Sequence, residues 1–224
     1  MRTFTTAQRG ASAAGPDPVA RISPGPGRLT ALRAARLFDG TSATLIPDPV
    51  VLMEGSVIRG VGSGGCIPEG ATVIDLPGAT LLPGLIDTHV HLAFDASADP
   101  VGNLARRQDG QVMAAMADAG RAALAGGVTT DAGIAPIKPH DVVRHAPSAL
   151  RQLGYGQAEA LRTVTSVAAD VCGLGHRKGR IASGFDADVL VVDGDPVSDP
   201  DALHRIRAVY VRGTAVPGTG SSRG

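Results

Sequence analysis

Cysteine is scarce in this 224-residue chain, with only Cys66 and Cys172, far apart and outside any CxxC spacing. That excludes a disulfide framework and leaves two buried or free thiols suited to a reducing compartment. Lysine is equally rare, Lys138 and Lys178 being its two instances among otherwise arginine cations. Net charge is absent too: 21 basic residues face 21 acidic ones, so neither nucleic acid nor an anionic membrane is indicated as a partner. No apolar run approaches the length of a membrane span. Arg2, Arg9, Arg21 and Arg28 are not followed by a continuous apolar stretch, so a secretory leader is not expected and the expected location is cytoplasmic. What remains is 43% apolar and 19% charged, ordinary for a soluble globular chain of one domain or two small ones.

Residues 1–28 lack apolar periodicity and carry Gly, Pro and Ser clusters, which predicts a disordered tail; 215–224 reads the same way. From Leu29 to about Leu82 short strands are predicted at 32–38, 50–54, 56–61, 72–76 and 80–82, each bounded by Gly, Pro, Asp or Ser. Met53 to Val57 and Asp75 to Ala79 read as hairpin turns, giving a small antiparallel sheet that forms one layer of a sandwich. Strands return at 186–192 and 208–212, so the last strands are expected beside the first.

Between them the pattern is helical. Gln111 to Gly126 is Ala-rich, with Met113, Met116 and Leu124 on a helical period and Gly126-Gly127 as a stop. Val128-Thr129-Thr130 then reads as a short strand, so that His91, the helix and Asp131 make a β-α-β unit. A further helix is expected from Pro139-His140-Asp141 to about Leu153, kinked or broken by Pro147. The next opens at Tyr155 to Glu159, with Ala160, Leu161, Val164, Val167, Ala168 and Val171 as its apolar face and Gly173 or Gly175 as its end.

The chemistry-bearing stretch is Leu81-Leu82-Pro83-Gly84-Leu85-Ile86-Asp87-Thr88-His89-Val90-His91-Leu92. In an extended chain His89 and His91 point to one face and Val90 and Leu92 to the other. Two imidazoles on one face can share a metal ion that takes nitrogen ligands at about 2.0–2.1 Å. A chance pair in a strand is the competing reading, and context decides between them.

That context is a resemblance. Pro83 to His91 looks like the first barrel strand of the amidohydrolase superfamily, and Gly175 to Pro196 resembles that superfamily's return to its β-sandwich. Asp131-Ala132-Gly133-Ile134 followed by Lys138-Pro139-His140-Asp141 is similar to the eighth-strand segment of its imidazolonepropionase-like and Xaa-Pro dipeptidase-like branch. The resemblance implies an α/β plus β fold: a composite β-sandwich from both chain ends, 29–82 and 180–214, around a metal-dependent hydrolase (β/α)8 TIM-barrel portion at 83–179. It makes His89, His91 and Asp131 the metal ligands, and Asp131 also the catalytic carboxylate that takes a proton from the attacking water. A turn or helix N-cap aspartate is the other reading of Asp131. The implied cofactor is a divalent metal, zinc first, which brings the pKa of its water to about 7. The implied reaction is hydrolysis of an amide or cyclic amide C–N bond in a small-molecule or dipeptide-like substrate.

The chain departs from the family in length. A barrel takes about 200–250 residues, whereas about ninety lie between His91 and Arg180. Ala125 to Thr130 resembles the start of strand two and Asp131 to Ile134 the end of strand eight, so strands three to seven are expected to be missing and this barrel truncated. Lys138 and Lys178 do not fit the family's fourth-strand lysine, and His140 and His145 read as surface helix residues. His176 and His204 have no assigned role, Asp87 reads as a turn or hydrogen-bonding residue, and Asp186 and Asp188 as turn and strand-start residues. Activity impaired by the truncation, an inactive remnant, or an interaction module that oligomerises through exposed strand edges are the functional alternatives.

Overall fold

A computed structural model describes residues 27–64, 67–89, 91–95, 97–126 and 142–217. Eight strands are formed by these residues: β1 (Leu29–Leu37), β2 (Ile46–Pro47), β3 (Pro49–Glu54), β4 (Val57–Ser63), β5 (Thr72–Pro83), β6 (Val189–Asp193), β7 (Ile206–Val211) and β8 (Thr214–Ala215). They share one sheet in the order β4-β3-β1-β5-β6-β7-β8, with β2 also on β1. The two halves of the sequence join at β5 and β6, which pair antiparallel from Ala79↔Asp193 to Pro83↔Val189. The late strands therefore do lie beside the early ones. They do so in one hydrogen-bonded path, where two sandwich layers were expected.

That path curls. Ile58 N donates to Phe185 O and Ala187 N to Ser56 O, both at 2.8 Å, while Gly213 N donates to Ala187 O at 2.8 Å. The segment 185–187 thus ties β4 to the β7–β8 turn and closes the sheet over Leu32, Val51, Met53, Ile58, Leu81, Val189 and Val191. The opposite face of β5, β6 and β7 packs Leu82, Leu190 and Val192 against Val143, Leu161, Val164 and Leu203. Covered on both faces, the second half of β5 is buried at every position from Ala79 to Pro83, which is why its sequence reads as a continuous apolar run.

The sheet is mixed, not antiparallel. Chain 49–63 forms the expected hairpin, with Gly55 at φ +55° and Glu54 opposite Val57. After β4 the chain crosses to the other edge of β1, so β1 and β5 run parallel from Thr30↔Thr72 to Leu37↔Leu81. The turn expected at 75–79 is instead inside β5. Gly78 takes φ +74° there, and the register against β1 shifts between Ala34 and Arg36, a bulge that Pro-Gly supplies as readily as it supplies a turn.

Among the described residues there are five α-helices: α1 (Pro100–Arg106), α2 (Asp109–Gly126), α3 (Ala146–Gln152), α4 (Gln157–Thr163) and α5 (Ser166–Val171). Sequence patterning missed α1, although Asp99-Pro100 signals it: Asp99 Oδ1 accepts from Gly102 N at 3.0 Å and Pro100 occupies the first turn. Pro147 breaks the next helix as expected, since α3 begins around it after a 3₁₀ turn at Val142–His145. The helix expected from Tyr155 is also broken, at Thr165, whose φ of −130° and ψ of −98° leave the helical region. That break resets the buried face. Ala160, Leu161, Val164 and Ala168 stay inside, whereas Val167 and Val171, expected on that face, are 47% and 75% exposed.

The strand expected at 128–130, with Asp131, Lys138 and His140, lies outside the described residues, as do 1–26 and 218–224 of the expected tails. Among the described residues no helix is long and apolar enough to cross a membrane.

Candidate metal centre

The site grows from the end of β5. Gly84 N donates to Asp188 O at 3.0 Å and Ile86 N to Val164 O at 2.8 Å, so the chain leaving the sheet is pinned to the start of β6 and to the α4–α5 junction. Leu85, 3% exposed, is buried between those anchors. Next, Asp87 Oδ1 accepts from His89 N at 2.8 Å, an Asx turn that bends the backbone. The extended strand expected to carry both histidines is therefore absent: residues 84–89 and 91 are turn and irregular backbone.

The bend nevertheless brings the imidazoles together. His89 Nε2 and His91 Nε2 lie 3.1 Å apart, with ring centroids at 4.8 Å and ring planes at 69°. Two nitrogens bound to one tetrahedral ion at about 2.0–2.1 Å are about 3.3 Å apart, so the pair fits a shared divalent cation. Phe94 stacks on His91 from the other side, with centroids 5.0 Å apart and planes at 14°. Phe94 N donates to His91 O at 3.2 Å, and Asp95 beyond it accepts from Asn103 Nδ2 at 2.9 Å and Arg107 at 2.8 Å. Helix α1 thereby holds the loop that carries His91. Asp95 is kept below the usual carboxylate range, mainly by hydrogen bonding from Ser97, against an opposing desolvation effect.

The third expected ligand, Asp131, lies outside the described residues, and among those described no three His, Cys, Asp or Glu side chains converge on one point. A second histidine pair occurs where none was expected: His145 and His204, which end two 3₁₀ turns, have ring centroids 4.4 Å apart. They come together across 59 positions of sequence, so no spacing signals them.

Sequence reasoning also missed a charge cluster. Asp186, 7% exposed, accepts from the Arg177 guanidinium at 2.9–3.1 Å and pairs with Lys178 at 2.9 Å; Lys178 Nζ reaches Asp188 at 2.5 Å. Burial pulls the Asp186 carboxyl up, but its bonds from Arg177 and Lys178 outweigh this and hold it below the ordinary carboxylate range. Burial likewise opposes the charge on Lys178, and Asp188 and Asp186 together push its pKa above the usual lysine value. Lys178 is thus held by two carboxylates, Asp186 and Asp188. A cavity of about 220 Å³ beside it is lined by Leu85, Ile86, Asp87 and Tyr210.

With this geometry in place, likeness to known proteins is informative. The amidohydrolase family profile matches residues 101–217, more than half of the chain. The chain belongs to the amidohydrolase family. A dihydroorotase of Pelobacter propionicus is 29% identical over 170 residues, covering 75% of this chain and 36% of that protein. An imidazolonepropionase of Salinispora tropica is 31% identical over 147 residues, covering 57% of this chain and 34% of its own. This amidohydrolase therefore spans about a third of the length of those curated relatives. Among solved structures, a molinate hydrolase superposes with TM-score 0.70 at 12% identity, covering 85% of this chain and 95% of that one. A prolidase complexed with N-methylphosphonate-L-proline gives 0.69 at 16% identity, covering 84% and 99%. At such identities the likeness is one of fold.

Proposed function

We propose that this amidohydrolase is a metal-dependent hydrolase of C–N bonds in small amide or dipeptide-like substrates, with a divalent ion, zinc first, held by His89, His91 and Asp131. The observation that supports it is the 3.1 Å approach of the two Nε2 atoms after a turn fixed by Asp87. A divalent ion there supplies Lewis acidity, acidifying a water and polarising a carbonyl oxygen. The chain's own contributions are orientation and proton transfer. Asp87 sets the backbone of His89, Phe94 sets the ring plane of His91, and the Asp131 carboxylate accepts the proton of the attacking water.

A second reading is favoured by the chain's span of about a third of its curated relatives. In it, residues 83–179 are a barrel lacking strands three to seven, carried by a composite β-domain from 29–82 and 180–214. Such a chain has reduced activity or none, or pairs with a full-length relative as a binding module through its open edges.

Metal content per purified chain, compared with that of a His89→Ala/His91→Ala variant, decides first. About one ion per chain, lost in the variant, supports the site and is followed by hydrolysis assays on cyclic amides and Xaa-Pro dipeptides with Asp131→Asn as control. No bound metal in either protein removes the hydrolase reading and leaves the second one, an inactive remnant or a binding module.

A further inference from the structure

Where the curled sheet nearly meets itself, a second cavity of about 590 Å³ opens between the N-terminal ends of β1 and β5 and the β7–β8 turn. Its volume is within the range of small-molecule sites. What distinguishes it is charge. In the other described cavities cations are matched by carboxylates: Lys178 shares one with Asp188, Arg33 another with Asp75, and Arg151 a third with Asp199 and Asp201. Here the lining holds Arg28 and Arg212 and no carboxylate. Among the described residues neither guanidinium makes an ion pair, whereas eight other arginines do.

Both arginines are held in place. Arg28 Nε donates to Thr72 Oγ1 at 3.2 Å. Arg212 is the first residue of a two-residue hairpin turn between Val211 and Thr214, with φ +48°, followed by Gly213 at φ +76°. Such a turn favours Asn, Asp or Gly at that position, so an arginine there carries a backbone cost. The turn cannot relax, because Arg212 N donates to Asp188 Oδ1 at 2.7 Å and a Cβ on Gly213 would lie 1.9 Å from Gly55 O. Behind the arginines the wall is apolar, formed by Met53, Ile74 and Tyr210. Tyr210, with its hydroxyl, is only 7% exposed. Burial pushes its pKa up, so that hydroxyl stays a donor.

We propose that this seam is a binding site for an oxyanion, carboxylate or phosphate, carried on an apolar body: Arg28 and Arg212 clamp the anion, and Tyr210, Met53 and Ile74 receive the body. Charge-assisted bonds of this kind are the strong ones, and losing them lowers affinity by about ten-fold or more. The site is separate from His89 and His91 and does not depend on the metal reading.

The test titrates the full chain at low ionic strength with 2-naphthoate and 2-naphthyl phosphate, following bound probe by calorimetry, with 2-naphthalenemethanol as the neutral analogue. Saturable binding of either anion is expected, at least about ten-fold tighter than the alcohol, and weakened about ten-fold by Arg28→Gln/Arg212→Gln and a few-fold by Tyr210→Phe. Raised salt weakens it. Both arginines are exposed, so the melting temperature of the double variant stays unchanged; should it fall, the two single variants carry the comparison. The His89→Ala/His91→Ala protein binds the anion as wild type does. Absence of saturation below about 10 mM, equal binding of the alcohol, or equal binding by the arginine variants overturns the proposal.

Discussion

Phe94 lies against the His91 ring with centroids 5.0 Å apart, and its removal frees that ring to rotate. Groups that orient a metal ligand are worth about 10- to 100-fold in affinity, so Phe94→Ala should weaken zinc binding about ten-fold in competition with a chromophoric chelator. Phe94 is only partly buried, so the melting temperature of the metal-free protein should be unaffected. Asp186 has a different task. It ties Arg177 and Lys178 to the loop that closes the sheet. Asp186→Asn should cost on the order of 2 kcal/mol at pH 7, the scale of a charge-assisted hydrogen bond, because Arg177 and Lys178 stay 45% and 28% exposed and are screened by solvent. The Asp186 pKa is lowered by folding. Its stabilising share is therefore complete above the ordinary carboxylate value of about 4 and lost as pH falls through the lower folded value. Urea midpoints of wild type and Asp186→Asn should accordingly converge on acidification below about pH 4, and a constant gap would refute this role. The histidine pair was readable in the sequence because its two members are two residues apart. The Asp186 cluster was not, since its partners lie eight and nine positions away and meet only when the loop 177–188 folds back.

Backbone conformation at single glycines decides what the elements become. Met53 to Val57 and Asp75 to Ala79 look alike in sequence, each a Gly between apolar runs, yet one is a hairpin and the other a bulge within β5. The difference is long-range. After Gly55 the chain can pair with the strand it has just left, whereas the residues on both sides of Gly78 pair in the same direction with β1. No local pattern encodes that choice, which explains why the strands at 72–76 and 80–82 were found but not their union. Gly78 has φ +74° and open space around its would-be Cβ, so Gly78→Val brings backbone strain without a clash. A cost of about 1–3 kcal/mol is expected from an unfavourable left-handed residue, read as a lowered urea midpoint with the slope unchanged. The break at Thr165 follows the same logic: apolar spacing from Ala160 to Val171 fits one helix, but Thr165 Oγ1 bonds back to Leu161 O at 2.8 Å and the backbone turns.

At the scale of the whole molecule, the join between chain ends is what positions the chemistry. Leu81 and Leu82 of β5 face opposite cores and lie opposite Val191 and Leu190 of β6, and the histidine turn begins a few residues later. The sheet and the histidine pair therefore share a foundation. Leu81 is fully buried, and Leu81→Ala should destabilise the whole sheet by about 2–5 kcal/mol. Linkage runs in the other direction as well. An ion that binds the native turn and not the unfolded chain stabilises folding, by about 2.7 kcal/mol at a hundred times its dissociation constant. Zinc should thus raise the melting temperature of wild type and of Leu81→Ala by similar free energies, because the ion contacts the turn and not the core. The His89→Ala/His91→Ala protein should melt at the same temperature with and without zinc. If zinc stabilises that variant equally, the ion is held elsewhere, and the pair His145 and His204, 4.4 Å apart at ring centroids, becomes the place to look.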